Sequence, residues 1–135
     1  MISQGKQNEQ ETPDGQTDGV FTMRQATKIL GAPAQRLRRY CRQGLIAGSR
    51  APLLGREYTF TATQIEALRR AHFLTLAGFT VSEIRRFMFL SRHNTAKSAQ
   101  ERRGLLGTHK RQVWRQIEDL QQVIDFLERL EDEIV

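Results

Sequence analysis

The alternation of apolar and polar positions changes texture along the chain, and the changes mark out its elements. Residues 1–20 hold few apolar side chains and are broken by Gly5, Pro13, Gly15 and Gly19. Such a stretch buries too little surface to offset its ordering entropy, which predicts a disordered tail. From Phe21 onward, Thr22–Gln25, Thr61–Gln64 and Thr80–Glu83 each have the form of a capping box, in which a Thr and a Gln or Glu three residues on satisfy each other's backbone N–H. Each predicts a helix start. Pro33 predicts another, because its missing N–H has no partner in a first turn anyway. With stops at the glycines 31, 44 and 78, these starts predict helices over about 23–30, 33–43, 62–77 and 81–90. Residues 47–60, with two glycines, a proline and a Tyr-Thr-Phe end, predict a hairpin, and the polar run 91–97 a hinge.

Beyond the hinge the period lengthens. Leu106, Val113, Leu120, Leu127 and Ile134 recur every seven residues, with Ile117 and Ile124 four residues after Val113 and Leu120. This is a coiled-coil seam with polar ends, widened by Trp114, Val123 and Leu130. A long helix cannot bury such a face alone. A second identical chain is the simplest partner; packing onto the chain's own third and fourth helices is the alternative.

Two short helices joined by a glycine turn and followed by a hairpin make a winged helix-turn-helix plan. Met23, Ala26, Ile29 and Leu30 are expected to pack on Leu37 and Tyr40, turning the arginines of the second helix outward. In such motifs the N-terminal residues of the second helix reach base edges in the major groove. Those residues here are Ala34, Gln35 and Arg36; Gln pairs with adenine and Arg with guanine. The expected fold class is therefore mainly α: a winged helix-turn-helix DNA-binding domain with a small β-hairpin wing, then a long C-terminal coiled-coil helix. The expected divisions are a tail over 1–20, the DNA-binding domain over 21–90, the hinge over 91–97 and a dimerisation helix over 98–135. A corner of a small helical bundle is the plainer alternative.

Charge sharpens this picture. The formal net charge is +6, but residues 1–20 carry −3, residues 21–103 carry +12 and residues 104–135 carry −3. In the middle block arginine outnumbers lysine fourteen to two, and Arg36, Arg38, Arg39 and Arg42 crowd one turn and a half. Arginine's planar fork suits phosphates and guanine edges, so a polyanion is the expected partner.

Other chemistry is sparse. One cysteine, Cys41, excludes an internal disulfide, and no glycine-rich phosphate loop, metal-ligand spacing or nucleophile–base pair is evident. No enzyme, cofactor or metal site is expected, and no apolar run reaches the roughly 18 residues of a membrane span. His72, His93 and His109 fall on different predicted elements, as packing or surface residues. Cys41 lies among arginines, which lower a thiol's pKa, so a redox role is open beside that of a small core filler.

The order of parts resembles the MerR family of bacterial transcription regulators. The resemblance rests on Phe21-Thr-Met through Gly31, Leu37-Arg-Arg-Tyr40, Gly44-Leu-Ile46 and Ala77-Gly-Phe-Thr-Val-Ser-Glu-Ile84. It implies a homodimer joined by antiparallel C-terminal helices, placing one recognition helix and one wing on each half of a promoter site. It also implies activation by bending and undertwisting over-long promoter spacers for RNA polymerase, in a cytoplasmic, nucleoid-associated setting. Arg38 and Tyr40 match the family's phosphate-contacting pair, and Arg50 and Arg56 would be the wing arginines; Arg24, Arg39 and Tyr58 complete the expected DNA surface. Departures include Pro33, Arg36, Arg39 and Cys41, where the family has Ser, Thr, Tyr and Glu. The cysteines of metal-responsive relatives are missing; an unidentified small apolar effector between Phe87–Leu90 and the partner subunit's Trp114 stays open. An architectural or excision-type DNA-bending protein and a coiled-coil interaction adaptor are the competing functions.

Overall fold

The computed structural model describes residues 20–135; the tail expected over the first nineteen residues lies outside them. The order of elements is β1 (Phe21–Thr22), α1 (Met23–Leu30), α2 (Ala34–Arg42), β2 (Thr59–Phe60), α3 (Ala62–Leu76), α4 (Val81–Arg92) and α5 (Ala96–Asp132). The expected fold class is the observed one: mainly helical, with one two-stranded antiparallel element and a long C-terminal helix. The chain divides into two compact units between Leu76 and Ala77. In this division α4 groups with α5, and only residues 93–95 separate those two helices.

In the first unit, the capping boxes form as their spacing dictates. Thr22 accepts from the Gln25 N–H and Gln25 from the Thr22 N–H, at 3.1 and 2.8 Å. Thr61 and Gln64 repeat the arrangement at the start of α3. At the stop, the Gly31 N–H still bonds the Thr27 carbonyl at 2.9 Å, and its left-handed backbone, φ +64°, then turns the chain out of the helix. Pro33 sits one position earlier than expected, as the N-cap of α2; its carbonyl accepts from Arg36 and Leu37.

The core of this unit consists of Met23, Ala26, Leu30, Leu37, Tyr40, Leu45, Ile46, Phe60, Ile65, Leu68 and Ala71. Ile29, expected to join it, is 43% exposed, at the edge of the buried stripe that Met23, Ala26 and Leu30 form. The antiparallel element is not closed within 47–60. Thr59–Phe60 pairs with Phe21–Thr22, Phe21 opposite Phe60, so the end of the wing is tied to the residues that enter α1. This register buries Phe60 almost completely.

In the second unit, α4 and α5 run antiparallel and are joined at successive levels. Ser98 donates to the Leu90 carbonyl at 3.0 Å, Arg86 grips both oxygens of Glu101 at 2.7 and 2.9 Å, and His109 Nε2 lies 3.2 Å from Glu83 Oε2. A fourth capping box, Thr95 with Ser98, starts α5. Its Ser in place of Gln or Glu hid it from the sequence pattern. The stop of the pairing is a matter of length. At about 1.5 Å per residue, α4 spans ~18 Å and α5 ~56 Å, so α4 covers only the first part of α5. Beyond it Trp114, Ile117, Leu120, Val123, Ile124, Phe126 and Leu127 are all exposed.

Candidate nucleic-acid interface

The geometry of α2 follows from its composition. Leu37, Tyr40 and Cys41 are its buried residues, so the opposite face is left to Gln35, Arg39 and Arg42, which are exposed, with Arg36 and Arg38 half-buried beside them. Gln35, Arg39 and Arg42 stand at i, i+4 and i+7, one above another on a single face. The first turn of α2 contains no acid, so nothing opposes an anion approaching its N-terminus. Ala34 is half-buried at that end, and Arg24 is exposed on α1.

Residues 21–76 carry ten Lys or Arg against Glu57 and Glu66. Both acids are engaged by arginines. Glu66 meets Arg69 at 3.2 Å on α3, while Glu57 in the wing takes Arg38 of α2. Arg38 Nε and Nη2 donate to the same oxygen, Glu57 Oε2, at 3.0 and 2.7 Å, and Glu57 Oε1 accepts from the Tyr58 N–H at 3.1 Å. The guanidinium hydrogen bond holds the Glu57 carboxyl below the usual carboxylate range. Glu57 is the residue that sequence reasoning missed here. The available signal was that it is the one acid in a wing otherwise carrying Arg50 and Arg56.

Two residues expected at the DNA surface are placed inside. Tyr40 is 3% exposed, and its hydroxyl is buried with no hydrogen-bond partner among the described residues. Tyr58 is buried as well, its ring stacked at 6.1 Å on Phe60. The pairing of Thr59–Phe60 with Phe21–Thr22 fixes the alternation of faces and turns Tyr58 and Phe60 inward together. Arg50 and Arg56 are exposed on the wing, whose base is held by Gln64 Nε2 donating to the Ala47 carbonyl at 3.3 Å.

The sequence leaves Cys41 open between a redox role and a small core filler. It is buried, and burial pushes its thiol up from the ordinary value, outweighing the opposing effects of a Ser49 hydrogen bond and the Arg42 charge. A buried thiol with a raised pKa forms little thiolate, which favours the reading of Cys41 as a small core filler. Of the histidines, His72 is buried on α3, and burial together with the Arg36 charge lowers its pKa. His109 is buried under Phe79, ring centroids 4.1 Å apart. Among the described residues no three His, Cys, Asp or Glu side chains gather as a metal site, and no helix is long and apolar enough to cross a membrane.

A basic second helix over a glycine turn, followed by an arginine-bearing wing, is the arrangement of a DNA reader, and comparison identifies which kind. The sequence profile of the MerR HTH family regulatory proteins matches residues 21–89, just over half of the chain, and the profile "MerR, DNA binding" matches residues 65–130. The chain belongs to the MerR family. It is a helix-turn-helix DNA-binding regulator of that family. Among solved structures it is similar to HiNmlR, described as a MerR family regulator lacking the sensor domain, bound to promoter DNA. That match has 25% identity and a TM-score of 0.70 over 82% of this chain and 83% of the other. A MerR family transcriptional regulator from Bacillus thuringiensis shares the fold at 18% identity and a TM-score of 0.68, over 85% of this chain and 99% of that one. No curated protein matches the chain in sequence. In MerR terms α1 and α2 are the helix-turn-helix, residues 47–58 the wing and α5 the long C-terminal helix.

Proposed function

We propose that this MerR-family chain acts as a homodimer on promoter DNA, where it sets transcription by distorting the duplex between the elements read by RNA polymerase. The observation that carries the reading is the face of α2 on which Gln35, Arg39 and Arg42 are exposed together, flanked by Arg36 and Arg38. A helix with that face, docked in a major groove, puts Gln35 and Arg36 at base edges and Arg38, Arg39 and Arg42 toward phosphates. Arg24, Arg50 and Arg56 extend the basic surface. HiNmlR, which this chain resembles, is a regulator bound to promoter DNA, and that supports extending promoter binding to this chain.

The dimer is inferred from α5. Ile117, Leu120, Ile124 and Leu127 are 48–61% exposed, on the part of the helix that α4 does not reach. Leu106, Val113 and Ile134 extend the seam at either end. A second copy running antiparallel would cover this face, and the net negative charge of residues 104–135 disfavours contact with DNA. A small apolar effector at Phe87–Leu90 remains a part of the proposal without a named ligand.

The test is selection of duplexes from a random-sequence pool by the full chain, with its mass in solution measured by sedimentation. A dimer that selects an inverted repeat, with affinity falling steeply as salt rises, is the expected result. Arg36→Ala should move or relax the base preference at one position of each half-site. A monomer with no salt-dependent retention of DNA would overturn the reading.

A further inference from the structure

The tip of the wing carries apolar side chains where a surface turn ordinarily has polar ones. Between Arg50 and Arg56 the sequence runs Ala51-Pro52-Leu53-Leu54-Gly55. The Arg56 N–H donates to the Leu53 carbonyl at 2.9 Å, closing a four-residue turn over Leu54 and Gly55. Gly55 has φ +79°, the backbone that a type II turn requires at its third residue and that L side chains rarely adopt. The turn therefore holds Leu54 outward at its second position. Leu54 is fully exposed and Leu53 is 75% exposed.

Turns draw on Gly, Pro, Asn, Asp and Ser because their outer positions are solvated. One exposed leucine is unremarkable. Two adjacent ones at the apex of a hydrogen-bonded turn, with an exposed arginine on either side, have the form of a wedge between two cations. The basic charge on both flanks chooses the occupant: it repels a basic protein surface and attracts a polyanion. Proteins that kink DNA from the minor groove use this pairing, an apolar side chain pressed between base pairs while cations hold the backbones on each side.

Resting on the reading of this chain as a DNA-binding regulator, we propose that Leu53 and Leu54 enter the minor groove beside each half-site and partly unstack a base step, making the wing an active part of the distortion. Arg50 and Arg56 hold the flanking phosphates. A flexible pyrimidine–purine step at that distance from the half-site would be the favoured point of entry, because it unstacks at least cost. The wing would thereby contribute sequence preference without a hydrogen bond to any base.

The experiment uses the full chain and a duplex that the wild-type protein has selected from a random pool. Affinity, the bend measured by energy transfer between the duplex ends, and permanganate oxidation of unstacked thymines are followed for wild type, Leu54→Ser, Leu53→Ala/Leu54→Ala and Leu54→Met. Both side chains are in solvent, so the variants should keep the wild-type melting temperature. The expected result is roughly tenfold weaker binding for the double variant, from the lost apolar burial. Its bend should be smaller, its permanganate-reactive thymines lost, and its salt dependence unchanged, since no phosphate contact is removed. Leu54→Met, which keeps an apolar side chain, should restore all three signals. Wild-type binding with variants equal to it in bend and reactivity would overturn the wedge and leave the DNA reading standing. A variant that loses only transcriptional output, with DNA signals intact, would show that the tip meets a protein and would equally overturn it. A wild-type chain that retains no duplex would overturn both readings.

Discussion

Arg38 of the recognition helix and Glu57 of the wing are nineteen residues apart in sequence and joined by two hydrogen bonds, at 2.7 and 3.0 Å, to one carboxylate oxygen. The pair fastens the wing to α2 and at the same time occupies a guanidinium that the proposed function assigns to a phosphate. DNA binding by Arg38 is then an exchange of one anion for another.

That exchange makes Glu57 a brake on affinity. Glu57→Gln should strengthen binding to all duplexes about equally and make the logarithmic salt dependence steeper by about one unit, as one more phosphate contact forms freely. Binding isotherms at several salt concentrations read both effects. Weaker binding on every sequence would instead show that the carboxylate is needed to orient Arg38. Because Arg38 holds the Glu57 carboxyl below its usual range, the brake should persist through mildly acidic pH and release only as the pH falls through that lowered value.

His72 gives the first unit a separate pH dependence. Burial first, and the Arg36 charge second, lower its pKa below the ordinary 6.5. The unfolded chain then binds a proton that the folded unit resists. The stability contributed by neutral His72 is fully present above about 6.5 and is lost as pH falls below it toward the lowered folded value. Thermal melts of wild type between neutral and mildly acidic pH should show a fall in melting temperature that His72→Leu largely removes. An identical fall in the variant would refute the assignment.

Cys41 should be inert in the folded chain. A thiol that is buried and pushed up reacts slowly with alkylating reagents, so iodoacetamide labelling should require denaturant, and brief peroxide treatment should leave DNA affinity unchanged. Rapid labelling of the native chain would restore the redox role.

The exposed seam of α5 should be the dimer contact. Leu127→Lys places a charge on an apolar face that is about half exposed in the single chain, and in a dimer it would do so once per subunit. Sedimentation should show a shift toward monomer, and DNA affinity should fall with it, since each half-site is then bound alone. Unchanged mass would locate self-association elsewhere or exclude it.

Much of the fold was legible because its signals are local. The boxes at Thr22, Thr61 and Thr80 need only a side chain and a backbone N–H three residues away, and each formed as its spacing required. The glycine stop at Gly31 and the seven-residue repeat of α5 are likewise properties of a short window, and the basic middle block was visible as plain charge. They suffice to mark the helix-turn-helix, the long helix and the family.

The tertiary structure alone decided what depends on distant segments meeting. Nothing near Thr59–Phe60 in sequence identifies Phe21–Thr22 as its strand partner, yet that pairing turns Tyr58 inward. The burial of Tyr40 and Cys41 depends on what packs over α2, which no short window of sequence contains. Arg38 looked like a free cation until the wing brought Glu57 to it. Helical periodicity and capping are set by backbone geometry over three or four residues, whereas burial, ion pairing and pKa are set by neighbours in space. The sequence therefore determined which face of α2 is basic, and the folded unit decided which of its arginines are free to use that charge.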